Sequence, residues 1–374
     1  MNGLSTTLRN GSRSAMRQLA DRETPFITNA WYVAGLGSEI GRKLLRRTIL
    51  GRPLVLYRTQ AGVPVALEDR CVHRSFPLSL SKLDGDTIVC GYHGMRYDCS
   101  GRCVEVPSQP QAGAGLGVRA FALVERGAFV WIWMGERPAD PALIPDISDW
   151  AGSTSWPAST HYFDLKANYI ALHENLLDLS HLSYLHADSF GTPDYARAPF
   201  RAAIDEQRGR FALLRDVAPT RLPSLWARPT GLEGVDAVRS VRSEFLSPAL
   251  HVVNVRFSAH GQPEAERADM QVKTAHVITP ATRTSTHYFI YHARNFALQD
   301  AGVTRFMHEG LLAAFREDVA GLEAIEANVA ATPAAEFIEV SFNADRANVA
   351  MRRHLKTLAE RDGAPPPMAN AAGR

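Results

Sequence analysis

Cys71-Val-His73-Arg-Ser-Phe-Pro-Leu78 and, after a gap of 16 residues from His73, Cys90-Gly-Tyr-His93-Gly94 decide how the first third of the chain is read. Each segment offers one thiolate and one imidazole, so the pair makes a four-ligand site on two loops. Two thiolates and two imidazoles suit either a tetrahedral zinc or a two-iron cluster, and the spacing alone does not separate them. Three features favour iron and sulfur. Gly91 and Gly94 stand where a turn must wrap closely around a bulky group. The surroundings read as strands and turns rather than as helices. Imidazole in place of thiolate on one iron also raises the reduction potential, which suits a cluster fed by a low-potential donor.

Outward from this cluster the pattern stays β-type. Leu54–Tyr57, a turn at Gln60–Gly62 and Val63–Leu67 read as a hairpin, and Val130–Trp133 as a strand closed by Gly135. Pro138, Pro141 and Pro145 then break the pattern, which puts a domain boundary near residue 140. The second part mixes periods: a helical stretch at 167–185, strands at 250–257 and 286–291, and a long helix at 303–329. The expected fold is α+β, an all-β N-terminal domain (26–140) followed by a domain (141–361) of antiparallel sheet with flanking helices. Residues 1–25 read as a mobile tail and 362–374 as a disordered one.

Composition narrows the function. Lys and Arg total 41 against 39 Asp and Glu, a net charge of +2, so no basic field for nucleic acid exists. No apolar run approaches the roughly 18 residues of a membrane span. Four cysteines are too few for a disulfide scaffold and fit a reducing, cytoplasmic setting. Cys99 and Cys103 read as small buried residues in a turn region.

A second metal site is legible in Asn175-Leu-Leu-Asp178-Leu-Ser-His181-Leu-Ser-Tyr-Leu-His186. On a regular helix Asn175, Asp178 and His181 share a face, whereas His181 and His186 do not, so the helix must distort or end between those two if both bind one ion. Leu311, Phe315, Asp318, Leu322, Ile325 and Val329 follow the spacing of one buried stripe, and Asp318 interrupts it. Glu317, Glu323 and Glu326 lie off that stripe and read as solvated. A carboxylate buried among Phe and Leu needs a cation or strong donors. Two histidines and this aspartate make a 2-His-1-carboxylate set, which leaves open positions on Fe(II).

On these residues the chain resembles the Rieske non-heme iron oxygenases, in the branch of the vanillate and dicamba O-demethylases and toluenesulfonate methyl-monooxygenase. Asn29-Ala-Trp-Tyr-Val-Ala34, Asn175–His181, Ala293-Arg-Asn-Phe296 and Glu317-Asp318 carry the likeness beside the two ligand sets. The resemblance implies a Rieske domain followed by a helix-grip catalytic domain. It implies one [2Fe-2S] cluster on Cys71, His73, Cys90 and His93, and one mononuclear Fe(II) on His181, His186 and Asp318. It further implies a homotrimer in which Asp178 bridges the cluster of one subunit to the iron of the next, with Asn175 close to the iron. Asn254 and His276 match positions that contact substrate. A tryptophan lining the dicamba pocket falls by spacing at Glu309, so the pocket differs there.

No flavin or nicotinamide fingerprint is present, so electrons are expected from a separate reductase of flavin or ferredoxin type. The implied reaction is O2-dependent monooxygenation of a small aromatic substrate, foremost O-demethylation of a methoxylated aromatic acid. Methyl hydroxylation and ring cis-dihydroxylation use the same metals. A zinc-stabilised binding module without catalysis is the alternative of another class.

Overall fold

The computed structural model describes residues 5–113, 115–263 and 269–363. Ten strands lie in the first part: β1 (Trp31–Leu36), β2 (Leu45–Ile49), β3 (Arg52–Arg58), β4 (Pro64–Glu68), β5 (Lys82–Asp84), β6 (Thr87–Val89), β7 (Arg96–Tyr97), β8 (Cys103–Glu105), β9 (Leu123–Arg126) and β10 (Phe129–Trp133). They form sheets ordered β1-β10-β9, β2-β3-β4 and β5-β6-β7-β8. The β3–β4 hairpin closes through Gly62, whose φ of 82° only glycine adopts easily. All five residues of β10 are buried, which explains why Phe-Val-Trp-Ile-Trp shows no alternation.

The second part is one antiparallel sheet of seven strands. These are β11 (Ala158–Leu165), β12 (Phe200–Asp205), β13 (Arg210–Arg221), β14 (Asp236–Ser247), β15 (Leu250–Ala259), β16 (Met270–Thr282) and β17 (Ser285–Arg294), in the order β11-β17-β16-β15-β14-β13-β12. Alternation along the strands splits the core in two. Leu250, Ala275, Val277, Phe289, Tyr291 and Ala293 pack against the N-terminal β domain. Val255, Phe257, Val272, Ile278, Tyr288 and Ile290 pack on the other face with residues of the flanking helices. Those helices are α2 (Tyr169–Leu177), α3 (Ser224–Thr230), α4 (Ala301–Ala331) and α5 (Arg346–Gly363), while α1 (Thr6–Met16) precedes the β domain. Within one chain the large sheet therefore stands between the β domain and the face that carries the helices.

Four expectations are corrected. Residues 1–25 are no mobile tail in the part described: α1 leads into Leu19 and Ala20, both buried, and Ala20 exchanges backbone and side-chain hydrogen bonds with Arg352 of α5. Asp362, assigned to the C-terminal tail, is the penultimate residue of α5 and accepts from Thr28 Oγ1 (2.7 Å) and the Asn29 amide; residues 364–374 lie outside the described ones. The stripe on α4 turns away after Leu322: Ile325 is 54 % exposed and Glu326 is buried, pairing with Arg22 at 2.9 Å and accepting from the Asn168 amide. The long apolar stretch is thus capped by a carboxylate that ties α4 to α1's trailing segment and to the start of α2. Finally, the helix at 167–185 stops at Leu177. Asp178 is extended (φ −120°, ψ 95°), and its Oδ1 accepts from the Ser180 amide to start a 3-10 turn over Leu179–Ser183.

Candidate functional site

Cys71 and Cys90 open two loops of one shape. In each, the cysteine N–H donates to the carbonyl five residues on (Phe76, 2.9 Å; Met95, 2.8 Å), and its carbonyl accepts from the amide four residues on (Ser75, 2.9 Å; Gly94, 3.0 Å). That fourth residue is left-handed in both, with φ of 57° at Ser75 and 75° at Gly94. A Cβ at Gly94 would also meet Pro107 Cγ at 3.0 Å, so the tight wrap needs the glycine. The sulfurs are buried, and Cys71 Sγ lies 3.1 Å from the Tyr97 hydroxyl. The imidazoles are exposed, with His73 Nδ1 and His93 Nδ1 3.2 Å apart. Burial pushes the Cys90 thiol up, with the adjacent Cys71 sulfur adding to it.

This arrangement separates the two metals that spacing left open. A tetrahedral zinc bonded at about 2.0–2.3 Å would hold its four donor atoms about 3–4 Å from one another. Among the described residues the group of three or more His, Cys, Asp or Glu donors meeting within 4.8 Å is His181, His186 and Asp318, not the Cys/His foursome. A buried sulfur pair and a separate exposed imidazole pair fit two irons, one held by each kind of donor.

The break at Asp178 builds the second centre. Once the helix ends there, His181 on the 3-10 turn and His186 beyond it can face one point, which a continuous helix forbids. Asp318 Oδ1 lies 3.1 Å from His186 Nε2 and 3.5 Å from His181 Nε2. Their outer nitrogens are held from behind: His186 Nδ1 donates to Glu317 Oε2 at 2.6 Å and His181 Nδ1 to the Asp178 carbonyl at 2.5 Å. Each ring is thereby fixed in the tautomer that presents Nε2 as a lone pair. Asn175 Nδ2 donates to Asp318 Oδ1 at 3.1 Å, and Ser189 Oγ to Glu317 at 2.7 Å. Glu317, read from sequence as solvated, is therefore part of the site. Burial alone would raise the Asp318 carboxyl, but His186, His181 and the Asn175 amide bring it below its ordinary range. Burial would lower His186, and Asp318 and Glu317 outweigh it.

A cavity of about 1110 Å³ reaches this centre from the α1, α2 and α5 side, with Asn175, Asp178, His181, Asp318 and Arg352 on its wall. Behind the ligand-bearing segment, Arg215 and Arg239 are each 2 % exposed and lie 5.0 and 4.9 Å from the Tyr195 ring centroid. Their guanidiniums donate to the carbonyls of Tyr195 and Phe190 respectively. Phe190 in turn stacks on His186 at 4.4 Å, so the arginines brace an irregular loop from which a ligand projects.

Strand register settles which way the two suggested substrate residues face. His276 pairs with His251 and Ile290, on the helix-covered face; its Nδ1 lies 2.6 Å from the Tyr288 hydroxyl and its ring 5.8 Å from Phe315, one turn before Asp318. Asn254 pairs with Lys273 and Arg242 on the opposite face and donates to Gln271 at 3.4 Å. Alternation puts Asn254 on the far side of the sheet from the metal ligands. Sequence reading missed His161, His251, His292 and Trp226, all buried on the helix-covered side. The period-2 pattern of β17, His287 out and Tyr288, Ile290, His292 in, was the available signal for His292.

Residues 165–361 match the family model of the vanillate O-demethylase oxygenase C-terminal domain, and residues 30–122 that of the Rieske [2Fe-2S] domain. The chain is 36% identical to the putative toluene-4-sulfonate monooxygenase iron-sulfur subunit of Comamonas testosteroni, over 85% of this chain and 93% of that one. It is 35% identical to the dicamba O-demethylase oxygenase component of Stenotrophomonas maltophilia, over 91% and 99% of the two chains. The structure of dicamba monooxygenase bound to 3,6-dichlorosalicylic acid superposes with a TM-score of 0.85 at 31% identity, covering 91% of this chain and 100% of that one. With both domain models matched and a Cys/His cluster site and an iron-type triad in place, this chain belongs to the vanillate O-demethylase family of Rieske non-heme iron oxygenases.

Proposed function

We propose that this chain is the terminal oxygenase that removes the methyl group of a methoxylated aromatic acid, taking electrons from a separate reductase. The observation that carries the reading is the His181, His186 and Asp318 triad, closing within 4.8 Å beside the buried, helix-covered sheet face that carries His276 and His292. Burial brings His276 down to about 4 and His292 to about 3, so neither is charged at neutral pH. Cys71, His73, Cys90 and His93 would hold the cluster and the triad the mononuclear Fe(II); when bound, they supply one-electron storage and reductive activation of O2.

The chain's own residues provide the setting. Glu317 and the Asp178 carbonyl keep a proton on the outer nitrogen of each ligand imidazole, and Asn175 keeps Asp318 in its orientation. Phe190 and Phe315 shield the triad from water on the sheet side, and His276 orients substrate against Phe315. One oxygen atom enters a C–H bond of the methoxy group, and the hemiacetal collapses to a phenol and formaldehyde. The second oxygen leaves as water with two electrons drawn ultimately from NAD(P)H and two protons, one from NAD(P)H and one from solvent.

Asp178 on the wall of the outer cavity supports electron entry from the cluster of a neighbouring subunit, in a homotrimer, because the large sheet stands between the two centres of one chain. A domain division near residue 140 is supported by the break between β10 and β11. Hydroxylation of an aryl methyl group is the second reading, favoured by the toluenesulfonate relative. Incubation with a compatible reductase, NAD(P)H, O2 and 4-methoxybenzoate should release one formaldehyde per O2. A benzylic alcohol from 4-methylbenzoate with no formaldehyde would select the second reading, and a cis-dihydrodiol would overturn both.

A further inference from the structure

His161, His276 and His292 surround Ile290 on the helix-covered face of the sheet. His161 pairs with Ile290 from β11, His276 pairs with it from β16, and His292 stands two residues along β17. Phe315 packs over this group, 5.8 Å from both His161 and His276, which sets it one helical turn from Asp318. Trp226 of α3 completes the wall: its ring lies 6.2 Å from His292 and 6.1 Å from Phe190, the ring stacked on His186.

Three of these side chains keep a buried nitrogen with no hydrogen-bond partner among the described residues: His161 Nε2, His292 Nε2 and Trp226 Nε1. They are 6 %, 3 % and 4 % exposed, so bulk solvent does not reach them. An unmade buried hydrogen bond is costly, and three around one group of rings mark a surface shaped for a ligand rather than for the core alone. The indole N–H can only donate, which fixes the complement as an acceptor. His292 Nδ1 is engaged by Thr274 Oγ1 at 2.8 Å, so if the hydroxyl donates, Nε2 carries the second donor N–H. His161 is held flat against His308 at 4.3 Å, presenting its edge.

We propose that Trp226, His292 and His161 form the polar pole of the substrate pocket and hold an oxyanion substituent, a carboxylate or sulfonate, while the group to be oxidised points toward His181, His186 and Asp318. This rests on the aromatic-acid reading above and adds the residues that select the acid. A two-donor grip on a charged oxygen group discriminates strongly against a neutral analogue, because the analogue leaves the donors unpaired.

The test is binding of 4-methoxybenzoate, methyl 4-methoxybenzoate and 4-methoxybenzenesulfonate to the metal-loaded protein by titration calorimetry, in wild type, Trp226→Phe and His292→Phe. Both substitutions keep an aromatic ring and remove the donor. Each should weaken the carboxylate about tenfold or more and leave the ester within about threefold. His161→Phe, in the same series, shows whether the third nitrogen takes part, and circular dichroism checks that each variant is folded. The sulfonate arm tells which oxyanion fits better. Equal weakening of acid and ester, or no weakening of the acid in folded Trp226→Phe and His292→Phe, overturns the assignment. Formaldehyde from 4-methoxybenzoate with such a result leaves the demethylation reading standing. Selective loss of the acid without formaldehyde supports the assignment and removes that reading. Absence of acid and sulfonate binding in wild type overturns the assignment whatever the chemistry.

Discussion

Replacing Glu317 tests whether the mononuclear site depends on the residue behind its ligand. Glu317 Oε2 takes the Nδ1 proton of His186 at 2.6 Å and the Ser189 hydroxyl at 2.7 Å, and the His186 ring is 0 % exposed. In Glu317→Ala the Nδ1–H loses its fixed carboxylate acceptor, and because the Glu317 side chain is 32 % exposed a mobile water takes its place, which no longer holds the ring with its Nε2 lone pair toward Asp318. Loss of such an outer partner lowers metal affinity about 10- to 100-fold, about 1.4–2.7 kcal/mol. Glu317→Gln keeps an acceptor oxygen and loses only the charge, so its effect should be smaller, within about tenfold. The assay is anaerobic Fe(II) titration of metal-depleted protein, read against acid-labile sulfide so that the cluster serves as internal standard. Asp318→Ala, which deletes a ligand, gives the lower limit: mononuclear iron lost, sulfide unchanged. Equal Fe(II) affinity in wild type and Glu317→Ala would refute the reasoning.

Asp178→Asn should retain iron and sulfide while NAD(P)H-driven turnover falls about 100-fold; full turnover would remove Asp178 from the electron path, and sedimentation of a fully active monomer would remove the trimer. His287 joins the two parts of the chain, Nε2 donating to the Thr48 carbonyl at 2.9 Å and Nδ1 accepting from Tyr162 at 2.8 Å, and burial holds it down to about 4. The unfolded chain therefore binds a proton that the folded chain refuses between about pH 6.5 and pH 4, and stability falls as pH drops through that window by up to about 3 kcal/mol. Urea unfolding at pH 7 and pH 5 should show a shallower pH dependence in His287→Gln, and an unchanged one would contradict the argument. Asp362→Ala removes the acceptor for Thr28 and Asn29 and should cost about 2 kcal/mol of stability in thermal unfolding, with metal content unaffected.

The sequence by itself determined whatever depends on local spacing and residue chemistry. Cys-x-His and Cys-x-x-His on a β framework, the hairpin at Leu54–Leu67, the strand runs and the long amphipathic helix all follow from short-range periodicity. An aspartate in an apolar seam likewise announces its own need for a partner. Even the demand that the helix fail between His181 and His186 came from helical geometry, though where it fails did not, because that depends on Asp178 turning its carboxylate onto Ser180. What only the tertiary structure decided is what distant segments do to each other. Glu326 looked solvated until Arg22 and Asn168 met it, and Glu317 until His186 did. Asn254 and His276 looked equivalent as polar strand residues, yet register turned them to opposite faces of one sheet. A period of two tells that neighbours alternate but not which face meets the metal ligands; that is fixed by the packing of α2, α3 and α4 across the sheet, a property of no single segment.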